Sequence, residues 1–265
     1  MDDALMPFLW LALTLPLLLL LQRWIHRHLR GVAYLITGRM NWAILIYAII
    51  LFPGVLLHEF SHLLTARLLG VRTGSISLLP QVQNDGTIRL GYVEYYKGRT
   101  LGPIRESLIG GAPLITGTLV VLLIGLRVFD VGNLTAVIQS GNVEQLTAAL
   151  SQIFTTPDFL VWLYLIFAIS NAMMPSPSDR RAWPAFVLLL AASALVLYGL
   201  DLSHLVLDGL RGPLTTLFGY LGLAFSLAIG VDIVFIFVLY ILEGFVSRIK
   251  GVELVYETVE TGPGK

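Results

Sequence analysis

Cysteine is absent from the 265 residues. That absence removes disulfides, thiolate zinc ligands, iron–sulfur clusters and cysteine nucleophiles together, and leaves the redox compartment open. Charge is scarce too: Asp, Glu, Lys and Arg make up 13% of the chain, against roughly 25% in a soluble domain. Lys plus Arg number 17 and so do Asp plus Glu, so no basic excess points to nucleic acid. There is no internal repeat. What is present is apolar: hydrophobic residues are 56% and mean hydropathy is +0.81. Long apolar blocks exclude disorder, collagen and coiled coil, and the length fits one domain or one with a small appendage.

A membrane span needs about 20 apolar residues. Six stretches reach or approach that length, at 4–22, 42–69, 107–127, 159–175, 183–200 and 217–246. The first opens on Asp2 and Asp3 and lacks a small-residue cleavage site, so it reads as a retained helix rather than a signal peptide. From Gln22 to Met40, Trp24, Ile25, Leu29, Val32 and Ile36 recur at helical spacing opposite Arg23, Arg27 and Arg30. That segment is either an interfacial helix or a solvated basic loop. Residues 71–96 alternate on both sides of Asn84-Asp85-Gly86, a hairpin signal. The expected fold is therefore an all-α polytopic membrane protein of about six transmembrane helices with a small membrane-associated β hairpin. Its parts are a first helix and basic segment (1–41), a membrane core carrying the hairpin (42–182), and accessory helices with a short tail (183–265). The segments expected on one face hold the larger share of Arg and Lys, among them Arg67, Arg72, Arg105, Arg180 and Arg181. The positive-inside rule makes that face cytoplasmic, and six crossings put both termini there, in an integral protein of the plasma membrane.

The second span contains Leu57-His58-Glu59-Phe60-Ser61-His62, an H-E-x-x-H pattern. On a helix, positions i and i+4 share a face, so both imidazoles can reach one zinc ion. Glu59, next to the first histidine, is placed to act as general base. The pattern uses two of only five histidines, and three ionisable side chains inside a membrane helix are costly unless they function. A catalytic zinc takes a third protein ligand, often a carboxylate. The fourth span ends in Ser170-Asn171-Ala172-Met173-Met174-Pro175-Ser176-Pro177-Ser178-Asp179. The second and fourth spans cross in the same direction, so His58, His62 and Asp179 approach one side. Pro175 and Pro177 break the helix there and let the chain turn Asp179 back.

These motifs resemble those of the site-2 proteases, intramembrane zinc proteases that pair H-E-x-x-H with an Asn, Pro and Asp motif in a later helix. Asn171 and Asp179 have the family's spacing of eight residues, and Ala66 and Gly70 trail the first motif as they do there. The likeness covers roughly residues 42–182. The departures are Arg180 in place of a glycine, Pro175 four rather than three residues after Asn171, and Ser77-Leu78-Leu79-Pro80 at the entry to the hairpin. The chain has no room for the PDZ or CBS domains of other members. The resemblance implies one Zn2+ per chain on His58, His62 and Asp179, Glu59 as the catalytic base, and Asn171 holding substrate backbone. The expected activity is zinc-dependent hydrolysis of peptide bonds in or near transmembrane segments of membrane-protein substrates, with the lipid bilayer as the other partner. The alternatives are a non-proteolytic membrane binding protein or a metal transporter on the same scaffold. Asp232, mid-membrane in the last span, is expected to bond a neighbouring helix, with a metal role as its rival. Gly222, Ser226 and Gly230 read as a close-packing face. Asp201, His204 and Asp208 read as interfacial polarity in the last loop, on the side opposite the His58 motif.

Overall fold

The computed structural model describes residues 5–82, 88–95, 102–252, 254 and 256. Its helices are α1 (Met6–Thr37), α2 (Met40–Leu68), α3 (Pro103–Arg127), α4 (Val131–Ser140), α5 (Val143–Phe154), α6 (Phe159–Ala172), α7 (Trp183–Gly199) and α8 (Ser203–Lys250). Between α2 and α3 lie the strands β1 (Thr73–Ser77), β2 (Gln81–Val82), β3 (Ile88–Arg89) and β4 (Tyr92–Tyr95). Among the described residues, four helices, α1, α2, α3 and α8, are long and apolar enough to cross a membrane, and the bent pair α5–α6 makes a fifth candidate. This is the architecture of a helical membrane protein, with fewer crossings than the six expected.

Local chain breaks explain the difference, and hydropathy does not register them. Asp158 stands at φ 56°, and α5 meets α6 there at 85°. That leaves α6 with 14 residues, about 21 Å at 1.5 Å per residue. The 17 residues of α7 span about 26 Å, short of the roughly 30 Å hydrocarbon core, and none of them is buried. Elsewhere helices run longer than expected. The basic segment after Gln22 is no loop: it continues α1, which runs for 32 residues in all and is ended by Gly38 at φ 65°. Its Ile25, Leu29, Val32 and Leu35 are buried in the bundle. Residues 203–216 likewise extend α8 to 48 residues.

The core forms where α1, α2, α3, α6 and α8 meet, around Leu18, Leu51, Val121, Ile166, Phe167 and Ala228. Phe167 of α6 stacks on Phe235 of α8, with ring centroids 3.9 Å apart. Contacts along α1 and α8 fix their relative direction. Phe8 meets Phe218, Trp10 Nε1 donates to Ser226 Oγ at 2.9 Å, His28 pairs with Glu243 at 2.6 Å, and Lys250 Nζ bonds the Leu35 carbonyl. The two helices are parallel. The start of α1 and the end of α8 therefore lie at opposite ends of the bundle, where six crossings would have brought the termini to one face. By the same packing, α8 opposes α2 and α6, and its first turns lie at the end of the bundle where α2 finishes, so residues 201–208 are not opposite the His58 motif. Trp10 also covers Gly222, so two of the three expected close-packing positions on α8 receive one tryptophan; nothing packs within 4 Å of the Cβ direction at Gly230.

The strands pair as an antiparallel hairpin in two pieces. Ile76 faces Val93 and Ser77 faces Tyr92 in one; Gln81 faces Arg89 and Val82 faces Ile88 in the other. The ladder stops at residues 78–80, where Pro80 has no N–H to donate. The expected turn, Asn84-Asp85-Gly86, lies outside the described residues.

Candidate metal centre

Three elements bring the site together. α2 carries His58, Glu59 and His62; α6 runs parallel to it; and the turn after α6 carries Asp179. Close approach of α2 and α6 depends on Gly54, where a methyl group would overlap the Ala168 carbonyl. The turn in its row lies against α3 at Gly110, where a methyl would overlap the Asp179 carbonyl. Neither glycine stands out in the sequence, because nothing local distinguishes a glycine under a neighbouring helix from one facing lipid.

Each imidazole is held by its Nδ1. His58 Nδ1 lies 2.7 Å from the Ala172 carbonyl, and His62 Nδ1 lies 2.8 Å from the Ile109 carbonyl. A carbonyl only accepts, so each Nδ1 carries a hydrogen and each Nε2 points inward. The two Nε2 atoms are 3.1 Å apart. Asp179 completes the group, with Oδ2 3.6 Å from His58 Nε2 and Oδ1 3.4 Å from His62 Nε2. His58, His62 and Asp179 thus form a group that could hold a metal ion. The donor set itself asks for a cation: two nitrogens and a carboxylate converge on one point, and only protons or a metal make that arrangement favourable.

Asp179 is oriented by Ser176 in a reciprocal Ser-x-x-Asp box. The Ser176 N–H and hydroxyl donate to Oδ2 at 2.7 and 2.6 Å, while the Asp179 N–H donates to Ser176 Oγ at 3.3 Å. Burial opposes ionisation of Asp179, but the facing imidazoles of His58 and His62, the charge of His62 and the bond from Ser176 together hold its carboxyl well below the usual carboxylate range. Ser176 was not singled out from the sequence, although its spacing from Asp179 is a capping-box signature. Arg180, where the resembling family has glycine, is exposed and leaves the ligand group undisturbed.

Glu59 is 6% exposed, with the hairpin packed on it. A Cβ at Gly91 would come within 2.8 Å of Glu59 Cγ and 3.0 Å of Oε1. Gly91 is a second site residue that sequence reasoning missed. Asn171 is buried near the end of α6. Both of its amide hydrogens are engaged, one by the Phe167 carbonyl at 3.0 Å and one by Asp232 Oδ1 at 2.7 Å, so it has no N–H left for a peptide. Asp232 bonds a neighbouring helix and is not a member of the metal group. The side chains of His204 and Asp208 lie outside the described residues, and Asp201 is exposed. No family model, curated protein or solved structure matches the chain.

Proposed function

We propose that this protein is a zinc-dependent intramembrane endopeptidase of the site-2 protease type. The observation that carries the reading is the convergence of two backbone-anchored imidazoles and one carboxylate beside Glu59. Zinc ligands at about 2.0–2.2 Å in a tetrahedron stand ~3.3–3.6 Å from one another. The separations of 3.4 and 3.6 Å from the imidazoles to the two Asp179 oxygens fall in that range, and the 3.1 Å between the Nε2 atoms is slightly shorter, so small side-chain adjustments would seat the ion. Three protein ligands leave one position open, the pattern of catalytic rather than structural zinc. When bound, zinc would polarise a scissile carbonyl and make water a stronger acid.

The chain's own groups do the rest. His58, His62 and Asp179 would hold the ion. Glu59, one residue from His58, takes the proton of the attacking water on its carboxylate and delivers it to the leaving amine nitrogen. The hairpin beside Glu59 supports presentation of substrate as an added strand, since a helical substrate hides its carbonyls in hydrogen bonds until it unwinds. The irregular backbone of residues 173–182 lies at the site, and such backbone belongs beside protein or water rather than lipid. Arg67, Arg72, Arg105, Arg180 and Arg181 belong to the end of the bundle that bears the site, and Arg39, Arg127, Arg248 and Lys250 to the other, so the positive-inside rule gives no clear preference for either face.

Metal analysis paired with a cleavage assay tests the reading. Detergent-purified protein should carry about one zinc per chain, and His58→Ala or His62→Ala should lose it. Glu59→Gln should keep the zinc and lower cleavage of a co-expressed single-span substrate by about 100-fold or more. Wild-type protein that stays metal-free after zinc loading ends the protease reading; zinc without cleavage of any membrane substrate leaves a binding scaffold.

A further inference from the structure

A second polar cluster lies deeper in the bundle, and the proposed chemistry does not use it. Asp232 of α8 is 0% exposed. Among the described residues its one hydrogen bond comes from Asn171 Nδ2. Two buried oxygens remain without a partner, Asp232 Oδ2 and Asn171 Oδ1. With Asp232 ionised, both are acceptors and neither can satisfy the other. A carboxylate with a single neutral donor and, among the described residues, no ion pair is among the costliest groups to bury. With a proton on Oδ2, the acid becomes a donor, and Asn171 Oδ1 is the acceptor carried by the residue already facing it. Acid and amide then exchange two hydrogen bonds and both orphans disappear. A hard metal ion would need roughly six or more oxygen ligands, and this pair offers two.

The last turn of α6, which Asn171 belongs to, is clamped from three other sides. Gln22 Nε2 donates to the Ser170 carbonyl at 2.8 Å. His26 Nε2 donates to the Asn171 carbonyl at 3.1 Å, and its Nδ1 pairs with the Tyr47 hydroxyl at 2.8 Å. The next carbonyl, Ala172, receives His58 Nδ1. We propose that Asp232 is a neutral carboxylic acid paired with Asn171, and that the pair is a positioning device which holds the Ala172 carbonyl where it orients His58 in the metal centre. The second half rests on the metal-centre reading, whereas the first half does not.

Infrared difference spectra decide the first half. Full-length protein in detergent, with 13C-labelled aspartate, is compared with Asp232→Asn at neutral pH. The variant should lose a protonated-carboxyl C=O band that the label shifts, and the same band should persist in His58→Ala, which cannot build the metal centre. Loss of a carboxylate band instead overturns the neutral acid. Zinc affinity decides the second half. Asp232→Asn, which can still bond an amide, should bind zinc within about 3-fold of wild type, and Asp232→Leu about 10-fold more weakly, the scale of outer-shell losses. Asn171→Ala removes the other half of the pair, should lose as much, and stands in if the leucine variant does not fold. Equal affinity for the asparagine, leucine and alanine variants overturns the positioning role. A wild type that binds no zinc defeats the metal-centre reading and the positioning role with it, while the infrared result still stands on its own.

Discussion

Asp179 shows how one residue's surroundings set its chemistry. Ser176 and two imidazoles surround its carboxyl, and the anion is favoured despite burial. A carboxyl depressed in the folded state adds stability above its unfolded value of about 3.9, and that stability is lost as pH falls through the folded value. Thermal melts of metal-free protein should therefore show wild type more stable than Asp179→Asn at neutral pH, with the gap closing below about pH 4. A gap that widens on acidification would contradict the assignment. Gly91 makes the complementary case, since its role is to have no side chain. Gly91→Ala should push Glu59 aside and lower cleavage about 10-fold or more, on the scale of a misplaced catalytic group, with zinc content unchanged. Equal loss of zinc and activity would mean that the hairpin, not Glu59, had been displaced.

At the scale of elements, the short α6 matters more than the long spans. It packs against α2 through Gly54, presents the Ala172 carbonyl to His58, and hands the chain to the turn that bears Asp179. Gly54→Val should separate α2 from α6, destabilise by about 1–3 kcal/mol as overpacked interfaces do, and weaken zinc binding although no ligand is touched. Denaturation and zinc titration of the same variant check both parts. Stability lost with zinc affinity intact would show that the α2–α6 contact does not set the site. The hairpin and α7 differ in kind from α6. The hairpin lies along α2 beside the site, while α7 is apolar on every side and buries none of its residues in the bundle, so its cover must come from lipid or another chain.

For the whole molecule, the decisive quantity is the number of crossings. Parallel packing of α1 with α8 and five candidate spans place the first residues of α1 and the last of α8 at opposite ends. Single-cysteine labelling is clean in a chain without native cysteine. A cysteine at position 6 and one at position 75 should be labelled from one face of sealed vesicles, and one at position 251 from the other. Labelling of all three from the same face would restore the six-span topology. That outcome would also place α8 in the wrong direction, and the Asn171–Asp232 pair would have to be abandoned with it.

Composition and spacing alone determined the membrane class, the hairpin, and the convergence of His58 and His62, because helical periodicity and the cost of burying charge in hydrocarbon act on neighbours in the chain. Asp179 too was legible, from prolines that end a helix and the direction of two spans. Tertiary structure decided what depends on distant parts. The bend at Asp158, the shortness of α7 and the continuity of α1 past Gln22 are decided by packing, and hydropathy reads the same apolar letters either way. The direction of α8 followed from those breaks, and it brought Asp232 to Asn171. The carbonyls of Ala172 and Ile109 that aim the imidazoles were beyond sequence reasoning altogether, since every residue has a carbonyl and only the fold chooses which one meets a histidine.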